Sequence, residues 1–169
     1  PRVSGVGLTH FGEHPERTGR DMFAEAGLTA LDDAGVSPDE IEALYYGNFM
    51  GEMAEHQGHE APMMAEAIGA PEVAATRLES ACASAGAAVR QAVQSVRNGE
   101  ADVVVAGGAE RMTNIGTAGA TEALSIAADD LYEVREGMTF PGAYALMARS
   151  YFEQYGGSRE DLAEIAVKN

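Results

Sequence analysis

The stretch AATRLESACASAGAAVRQAVQSVRNGEADVVVAGG, residues 74–108, decides the fold of this 169-residue chain. Residues 74–80 resemble a β-strand, residues 82–98 follow the helical period, and residues 101–108 form an apolar run that stops at two glycines. The order strand, helix, strand is typical of a parallel sheet covered by helices. We therefore predict an α/β fold.

Segments on both sides of this stretch continue the alternation of strands and helices. A capping box in SPDE, opening at Ser37, predicts a short helix, and Gly35 is placed to end the helix before it. Beyond Met112 the strand pattern stops and helices follow. The predicted strands are 2–11 and 43–49, and the predicted helices are 20–34, 59–68, 141–155 and one that opens at Ser158.

The charge of the chain is strongly acidic. Asp and Glu number 27 against 11 Lys and Arg, which gives a net charge of −16, and Lys168 is the single lysine. Because a nucleic-acid partner requires a basic face, this balance excludes one. The acidic residues are dispersed rather than gathered in a tail, which favours a solvated surface adapted to high salt. An ordinary acidic cytosolic protein is the alternative interpretation.

The number of cysteines and the length of the apolar segments indicate where in the cell the protein resides. Cys82 is the only cysteine, so no internal disulfide forms and nothing suggests an oxidising environment. The sequence has no stretch of 18 apolar residues and no basic segment leading an apolar one. We predict a cytoplasmic protein with no membrane partner.

Cys82 is the strongest candidate for chemistry. It follows a predicted strand and stands in the first turn of a predicted helix, where free N–H groups and the helix dipole favour a thiolate and make the sulfur a better nucleophile. Ligands in open α/β sheets bind beyond the carboxyl ends of the strands, and the neighbours of Cys82 are small enough to admit an acyl substrate. The alternative is a buried cysteine that acts as a small hydrophobe.

Other motifs give weaker signals. Gly107 and Gly108 end the next strand, where they allow close approach of a ligand or simply form a turn. The opening glycines miss the dinucleotide fingerprint because position 10 is His. The sequence has four histidines, at positions 10, 14, 56 and 59. His56 and His59 lack the order of a zinc motif, so we predict no metal site and interpret these two as solvated loop histidines.

Several segments together resemble the thiolase family, and the archaeal branch of the sterol-carrier type in particular. The resemblance covers essentially the whole chain. It is carried by ESACASAGAAV (79–89), ADVVVAGGAERMT (101–113), MTFPGAYALMARSYFEQYG (138–156) and SREDLAEIAVKN (158–169), with VSGVGLTHFG (3–12) and ALYYGNF (43–49) as the first two strands.

The resemblance implies a layered thiolase-like fold. Residues 1–113 would form the N-terminal α/β domain without its last strand, and residues 114–169 would begin the helical loop domain. Because the sequence lacks an initiator Met and stops inside a predicted helix, we expect a fragment. The resemblance also implies a homodimer or homotetramer that pairs through strand 74–80.

The same resemblance implies acyl-CoA chemistry. Cys82 would accept an acyl group as a thioester and pass it to an acetyl-CoA carbanion, or the reverse, with coenzyme A thioesters as substrates and no cofactor. The family's catalytic histidine, second cysteine and Asn-Glu motif have no counterpart here. The substrate-binding residues it implies are Gly107, Gly108, Arg111, Phe140 and Gly142, with Arg135 as a further candidate for coenzyme A phosphate.

Two other functions remain open at this point. One is a β-ketoacyl or hydroxymethylglutaryl-CoA synthase, which shares the nucleophile at a helix start, although VAGGAERMT fits a thiolase better. The other is a non-catalytic subunit that binds acyl-CoA or serves as a scaffold. Sequence downstream would separate them, because a histidine motif and a second cysteine would establish the enzyme.

Overall fold

The computed structural model describes residues 1–169 and divides into two compact units, Pro1–Ala123 and Leu124–Asn169. The predicted boundary at 113/114 stays a prediction. The first unit contains a three-stranded parallel sheet in the order β2-β1-β3. The strands are β1 (Ala43–Gly47), β2 (Ala74–Leu78) and β3 (Val104–Gly108), and the helices are α1 (Gly19–Ala34), α2 (Gly51–Ala54), α3 (Glu60–Ala67), α4 (Ser84–Arg97), α5 (Gly116–Ser125), α6 (Phe140–Tyr155) and α7 (Arg159–Lys168).

Local signals explain where the helices begin and end. Thr18 caps α1 in a capping box with Asp21, and Gly35 closes the helix with φ 66°, a conformation that glycine adopts without a steric penalty. Ser37 and Glu40 form the predicted capping box, but the helix they open is a single 3-10 turn, Pro38–Glu40. It is short because Ile41 is already extended and leads into β1.

The core of the first unit lies between the sheet and the pair of helices α1 and α3. Leu44 and Tyr46 project from β1 into this layer, and the Phe23 ring meets the Tyr46 ring edge-on with centroids 5.2 Å apart. The α4 helix packs against the sheet near Gly47, the β1 neighbour of Tyr46 that alternation turns to the opposite face. The core also contains Leu31, Ile41, Ala61, Met64, Ala65, Ile68 and Ala70.

The predicted strand 2–11 is wrong, because this segment is not in a strand. It lies along α1, where a Cβ at Gly5 or Gly7 would fall within about 2 Å of a helix carbonyl oxygen. A cavity of about 820 Å³ separates its first residues from β3. With no strand beside it, the segment lacks the hydrogen-bonding partner that a β-strand requires.

The apolar run 101–108 does not form a buried strand. β3 spans only Val104–Gly108 and is at most half-buried, because it is an edge strand whose outer side lines the cavity. β2, on the other edge, has an alternation of exposed and half-buried residues. The buried strand of the sheet is β1, which lies between the other two.

The second unit is helical. Thr139 caps α6 by accepting a hydrogen bond from the Gly142 N–H, and Ser158 caps α7 in a capping box with Asp161. A π-helical turn, Asp130–Val134, precedes them. None of the helices in the structure combines the length and the apolar character that crossing a membrane requires.

Candidate active site

The turn between β2 and α4, residues 79–84, carries the only cysteine. Cys82 is exposed and lies in a 3-10 turn, Ala81–Ala83, directly before α4 begins at Ser84. The sequence predicted Cys82 in the first turn of the helix, and the structure places it one short turn earlier. Exposure excludes the alternative of a buried cysteine that only fills space.

The backbone of Cys82 leaves one hydrogen-bond donor unpaired. The Cys82 N–H makes no hydrogen bond within the chain, and Ala83, at the N-cap of α4, supplies no side-chain cap. Unpaired N–H groups at the positive end of a helix stabilise negative charge, whether on a thiolate or on an oxyanion. The turn therefore suits a sulfur nucleophile.

Hydrogen bonds from the Ser84 and Glu79 side chains stabilise the same turn. The Ser84 hydroxyl accepts from the Ser80 N–H at 2.9 Å and donates to the Ala81 carbonyl oxygen at 2.6 Å. The Glu79 carboxylate accepts from the Ala81 N–H. Ala81 has φ 45°, in the left-handed region that a residue with a Cβ rarely adopts. These bonds hold the turn in a conformation that its own backbone disfavours.

Gly47 allows the sheet to approach the start of α4. A Cβ at this position would lie 2.5 Å from the Ala85 nitrogen and from the Ser84 carbonyl carbon. A larger residue at the end of β1 would therefore push α4, and the turn that bears Cys82, away from the sheet.

A cluster of charged and polar side chains, which we call the strand-end cluster, occupies the carboxyl ends of the three strands. Its centre is Asn48, which is buried and follows β1. The Asn48 amide donates to the Ala109 carbonyl oxygen at 2.9 Å, and its oxygen accepts from Arg77 at 2.8 Å and from the Gly51 N–H at 3.0 Å. The members of the cluster are Asn48, Glu52, Glu55, Glu60, Arg77, Glu110 and Arg111.

Carboxylates outnumber cations in this cluster, and the pKa values of three of them, Glu52, Glu60 and Glu110, are shifted. Burial raises the pKa of Glu60 to about 7, although Arg77 opposes the shift. Burial also raises the pKa of Glu110, against the N–H groups of Phe49 and Met50 that donate to it. The hydrogen bonds from Arg77 lower the pKa of Glu52, which is the partially exposed partner.

Sequence reasoning missed this cluster. A signal was present, because Asn48 and Glu110 each follow a strand and Arg77 is near the end of a third, and the ends of parallel strands meet at one edge of a sheet. Glu60 gave no such signal. It is the first residue of α3, and its partner Arg77 lies in β2.

The predicted substrate residues of the first unit are held within the fold. A Cβ at Gly108 would lie 2.2 Å from the Gly47 oxygen, so strand pairing requires a glycine there. A Cβ at Gly107 would lie 3.3 Å from the Phe23 ring, which is a tight contact with a side chain of the core. Arg111 donates to the Pro15 carbonyl oxygen at 2.9 Å and lies 3.8 Å from Glu55.

The remaining predicted residues lie in the second unit. Phe140 begins α6, and the Gly142 N–H donates to the Thr139 hydroxyl at 3.2 Å. Arg135 is exposed and pairs with Asp130.

All four histidines lie in other segments of the chain than the turn that bears Cys82. His14 contacts the His10 carbonyl oxygen at 2.8 Å, and His56 and His59 both have φ 52°. No group of three or more His, Cys, Asp or Glu side chains is arranged to hold a metal ion.

Comparison with known proteins identifies the family. The family model for the thiolase N-terminal domain matches residues 4–169. The chain is 41% identical over 167 residues to acetyl-CoA acetyltransferase of Methanothermobacter thermautotrophicus, covering 99% of this chain and 43% of that protein. It is 42% identical over 165 residues to acetyl-CoA acetyltransferase of Methanocaldococcus jannaschii, covering 98% and 42%. The chain spans less than half the length of these relatives.

Solved structures agree on the fold. The Ltp2-ChsH2(DUF35) aldolase matches with a TM-score of 0.62 and 26% identity, over 94% of this chain and 39% of that one. A 3-oxoacyl-[acyl-carrier-protein] synthase III from Aquifex aeolicus matches with a TM-score of 0.52 and 20% identity, over 67% of this chain and 36% of that one. The predicted α/β, thiolase-like fold is confirmed, and the chain belongs to the thiolase family, within its N-terminal domain.

Proposed function

We propose that this chain carries the nucleophile of an acyl transfer between coenzyme A thioesters, with Cys82 as the residue that accepts the acyl group. The single observation that carries the proposal is the exposed Cys82 in the turn before α4, with its N–H unpaired. Support comes from the two archaeal relatives, both named acetyl-CoA acetyltransferase, which share about two residues in five with this chain.

The proposed step follows from the chemistry of a thiolate and a thioester. The Cys82 thiolate attacks the acyl carbonyl carbon, a carbon–sulfur bond forms, and the carbonyl oxygen becomes an oxyanion that the Cys82 N–H can bind. Collapse of this intermediate breaks the bond to the coenzyme A sulfur, which leaves as a thiolate. The acyl group then passes to the carbanion of a second acetyl-CoA, or back to coenzyme A in the reverse direction.

Carbon–carbon bond formation needs more than these residues supply. A base must remove the acetyl α-proton and further donors must stabilise the enolate, whereas this sequence holds one cysteine and none of the family's histidine motif. Groups that act as a unit lose most of the rate enhancement when one is removed. We expect no turnover to acetoacetyl-CoA, measured by absorbance, from these 169 residues alone.

The proposed substrate contacts lie at the end of β3, at Arg111 and at the start of α6. Gly107 and Gly108 end a strand at the same edge of the sheet as the turn that bears Cys82, which suits a backbone contact with the acyl chain. Arg111 would have to exchange its contact with Glu55 for a coenzyme A phosphate. Phe140 and Gly142 remain proposed from the family resemblance.

We also propose that the protein self-associates through β2 and is cytoplasmic. β2 is an edge strand that exposes Ala74 and Thr76, so a second copy could pair with it across a two-fold axis in a homodimer or homotetramer. The single cysteine and the acidic surface support a cytoplasmic protein of a high-salt cell. Light scattering in multimolar KCl that gives only a monomer would contradict the association.

Alkylation of the single thiol tests the proposed function. We expect iodoacetamide to modify Cys82 faster than a free cysteine at pH 7 and acetyl-CoA to slow that reaction. Because the chain has no other cysteine, intact mass reports this one site. Equal rates without protection would favour a non-catalytic binding or scaffold role.

A further inference from the structure

We propose that Ser84 is a positioning residue for Cys82. Its hydroxyl orients the peptide group between Ala81 and Cys82 so that the Cys82 N–H stays free to bind the oxyanion of acyl transfer. The inference deepens the proposed function and rests on it, because it assigns to Ser84 a part in the same reaction.

The Ser84 hydroxyl both accepts and donates a hydrogen bond within the turn. Ser84 is 4% exposed, and its Oγ accepts from the Ser80 N–H at 2.9 Å while it donates to the Ala81 carbonyl oxygen at 2.6 Å. The Ser84 N–H donates to the same carbonyl oxygen. One side chain therefore ties the Glu79–Ser80 peptide to the Ala81–Cys82 peptide.

The peptide bond transmits this restraint to Cys82. The carbonyl group of Ala81 and the N–H of Cys82 belong to one planar trans peptide, so they point in opposite directions. When the carbonyl oxygen is held toward Ser84, the Cys82 N–H points away from it. That N–H makes no hydrogen bond within the chain, as expected of a donor kept for a ligand.

The turn needs such a restraint because of Ala81. Its φ of 45° is unfavourable for a residue with a Cβ, and no glycine is present to relax it. Without the Ser84 hydroxyl, the Ser80 N–H loses its partner and the Ala81 carbonyl keeps only the backbone bond. We expect the peptide to sample other orientations, in which the Cys82 N–H no longer faces the oxyanion.

Two reagents separate this role from a merely structural one. Iodoacetamide alkylates the thiolate by displacing iodide, and no oxyanion forms. p-Nitrophenyl acetate acylates the same sulfur through a tetrahedral oxyanion and then expels p-nitrophenolate, so the acetyl group moves to Cys82 as its bond to the phenol oxygen breaks. A positioning role for Ser84 predicts that acylation falls while alkylation does not.

The experiment compares Ser84→Ala with Ser95→Ala, which removes another buried serine hydroxyl from the same helix. In Ser84→Ala we expect acylation by p-nitrophenyl acetate and by acetyl-CoA to slow about tenfold or more, with alkylation within about twofold of the parent chain. Ser95→Ala should leave both rates unchanged. Equal slowing of both reactions, or slowing of neither, would overturn the proposal.

A second pair of variants covers the case in which Ser84→Ala does not fold. Thr and Val have nearly the same shape, and only Thr keeps the hydroxyl, so Ser84→Thr should retain the parent ratio of acylation to alkylation and Ser84→Val should lose it. Identical ratios in the two would overturn the proposal. If acetyl-CoA fails even with the parent chain while p-nitrophenyl acetate gives these results, the assignment of coenzyme A thioesters as substrates fails, and Ser84 positions Cys82 for acyl transfer from another acyl donor.

Discussion

The Oε2 atom of Glu60 lies 3.5 Å from the Nε atom of Arg77, and neither atom has a hydrogen-bond partner. The terminal nitrogens of Arg77 instead bind Glu52 and Asn48. The Glu60 side chain is only 2% exposed, and the cation that pairs with it, Arg77, also pairs with Glu52. This incomplete compensation explains why burial raises the pKa of Glu60 to about 7.

The first prediction concerns pH. Because the pKa of Glu60 rises from 4.5 in the unfolded chain to about 7 in the folded one, the folded state binds this proton more tightly. The free energy of unfolding therefore falls as pH rises through that window, by at most about 1.4 kcal/mol for each pH unit from this group. Glu60→Gln, which carries no charge, should lose this part of the pH dependence.

Urea unfolding of both proteins at pH 5 and pH 8, in the same high salt, checks the prediction. Glu66→Gln is the matched control, because Glu66 is on the same helix but is 61% exposed and forms a surface pair with Arg20. We expect Glu66→Gln to keep the parent pH dependence. An unchanged dependence in Glu60→Gln would show that Glu60 is ionised in the folded chain across this range.

The second prediction concerns Asn48. Asn48→Ala removes the side chain that joins Ala109, Arg77 and Gly51, and it leaves buried partners unsatisfied. The expected loss in the free energy of unfolding is about 2–3 kcal/mol. The exposed Asn98→Ala should change it by no more than about 0.5 kcal/mol. Equal effects in chemical denaturation would mean that the strand-end cluster does not stabilise the fold.

The third prediction concerns Ala81. Glycine adopts a φ of 45° without steric cost, so Ala81→Gly should raise the free energy of unfolding by up to about 1 kcal/mol. Ala87→Gly, inside α4, should lower it by about 0.5–1 kcal/mol. Thermal melting followed by circular dichroism measures both. A lower melting temperature in Ala81→Gly would contradict a left-handed residue at this position.

The central strand–helix–strand unit could be predicted because its signals are local. The period of α4 and the glycines after β3 lie in adjacent sequence, and the elements fall within a few residues of the predicted ranges. The segment 2–11 shows the limit of such signals: its composition favours a strand, but a strand exists only beside another, and the cavity separates it from β3. α5 was missed because its run of glycine and alanine resembles a loop.

The position of Cys82 in the candidate site could be predicted from the sequence. The hydrogen bonds of Ser84 and the burial of Glu60 could not. A cysteine between a strand and a helix can be recognised in the sequence alone. The burial of Glu60 depends on Arg77, 17 positions later and in another element. The Ser84 bridge depends on the turn conformation, for which the sequence offered only a serine two residues after the cysteine.

The fourth prediction concerns salt. A net charge of −16 on 169 residues favours expansion through self-repulsion, and salt screens it. We expect helical circular dichroism and the melting temperature to rise as KCl increases from about 0.1 M, where the Debye length is about 10 Å, to multimolar salt, where it is below about 3 Å. A fully folded chain at low salt, with unchanged melting, would contradict adaptation to high salt.

The most direct test of the central claim is to locate an acetyl group on Cys82. The folded chain is incubated with acetyl-CoA, digested with trypsin, and the peptide Leu78–Arg90 is sequenced by mass spectrometry, with Cys82→Ala as the control. We predict one acetyl group on Cys82, removed by hydroxylamine as a thioester should be, and none in the variant. A folded chain that acquires no acetyl group, or carries it only on amines that resist hydroxylamine, would contradict the assignment of Cys82 as the acyl acceptor.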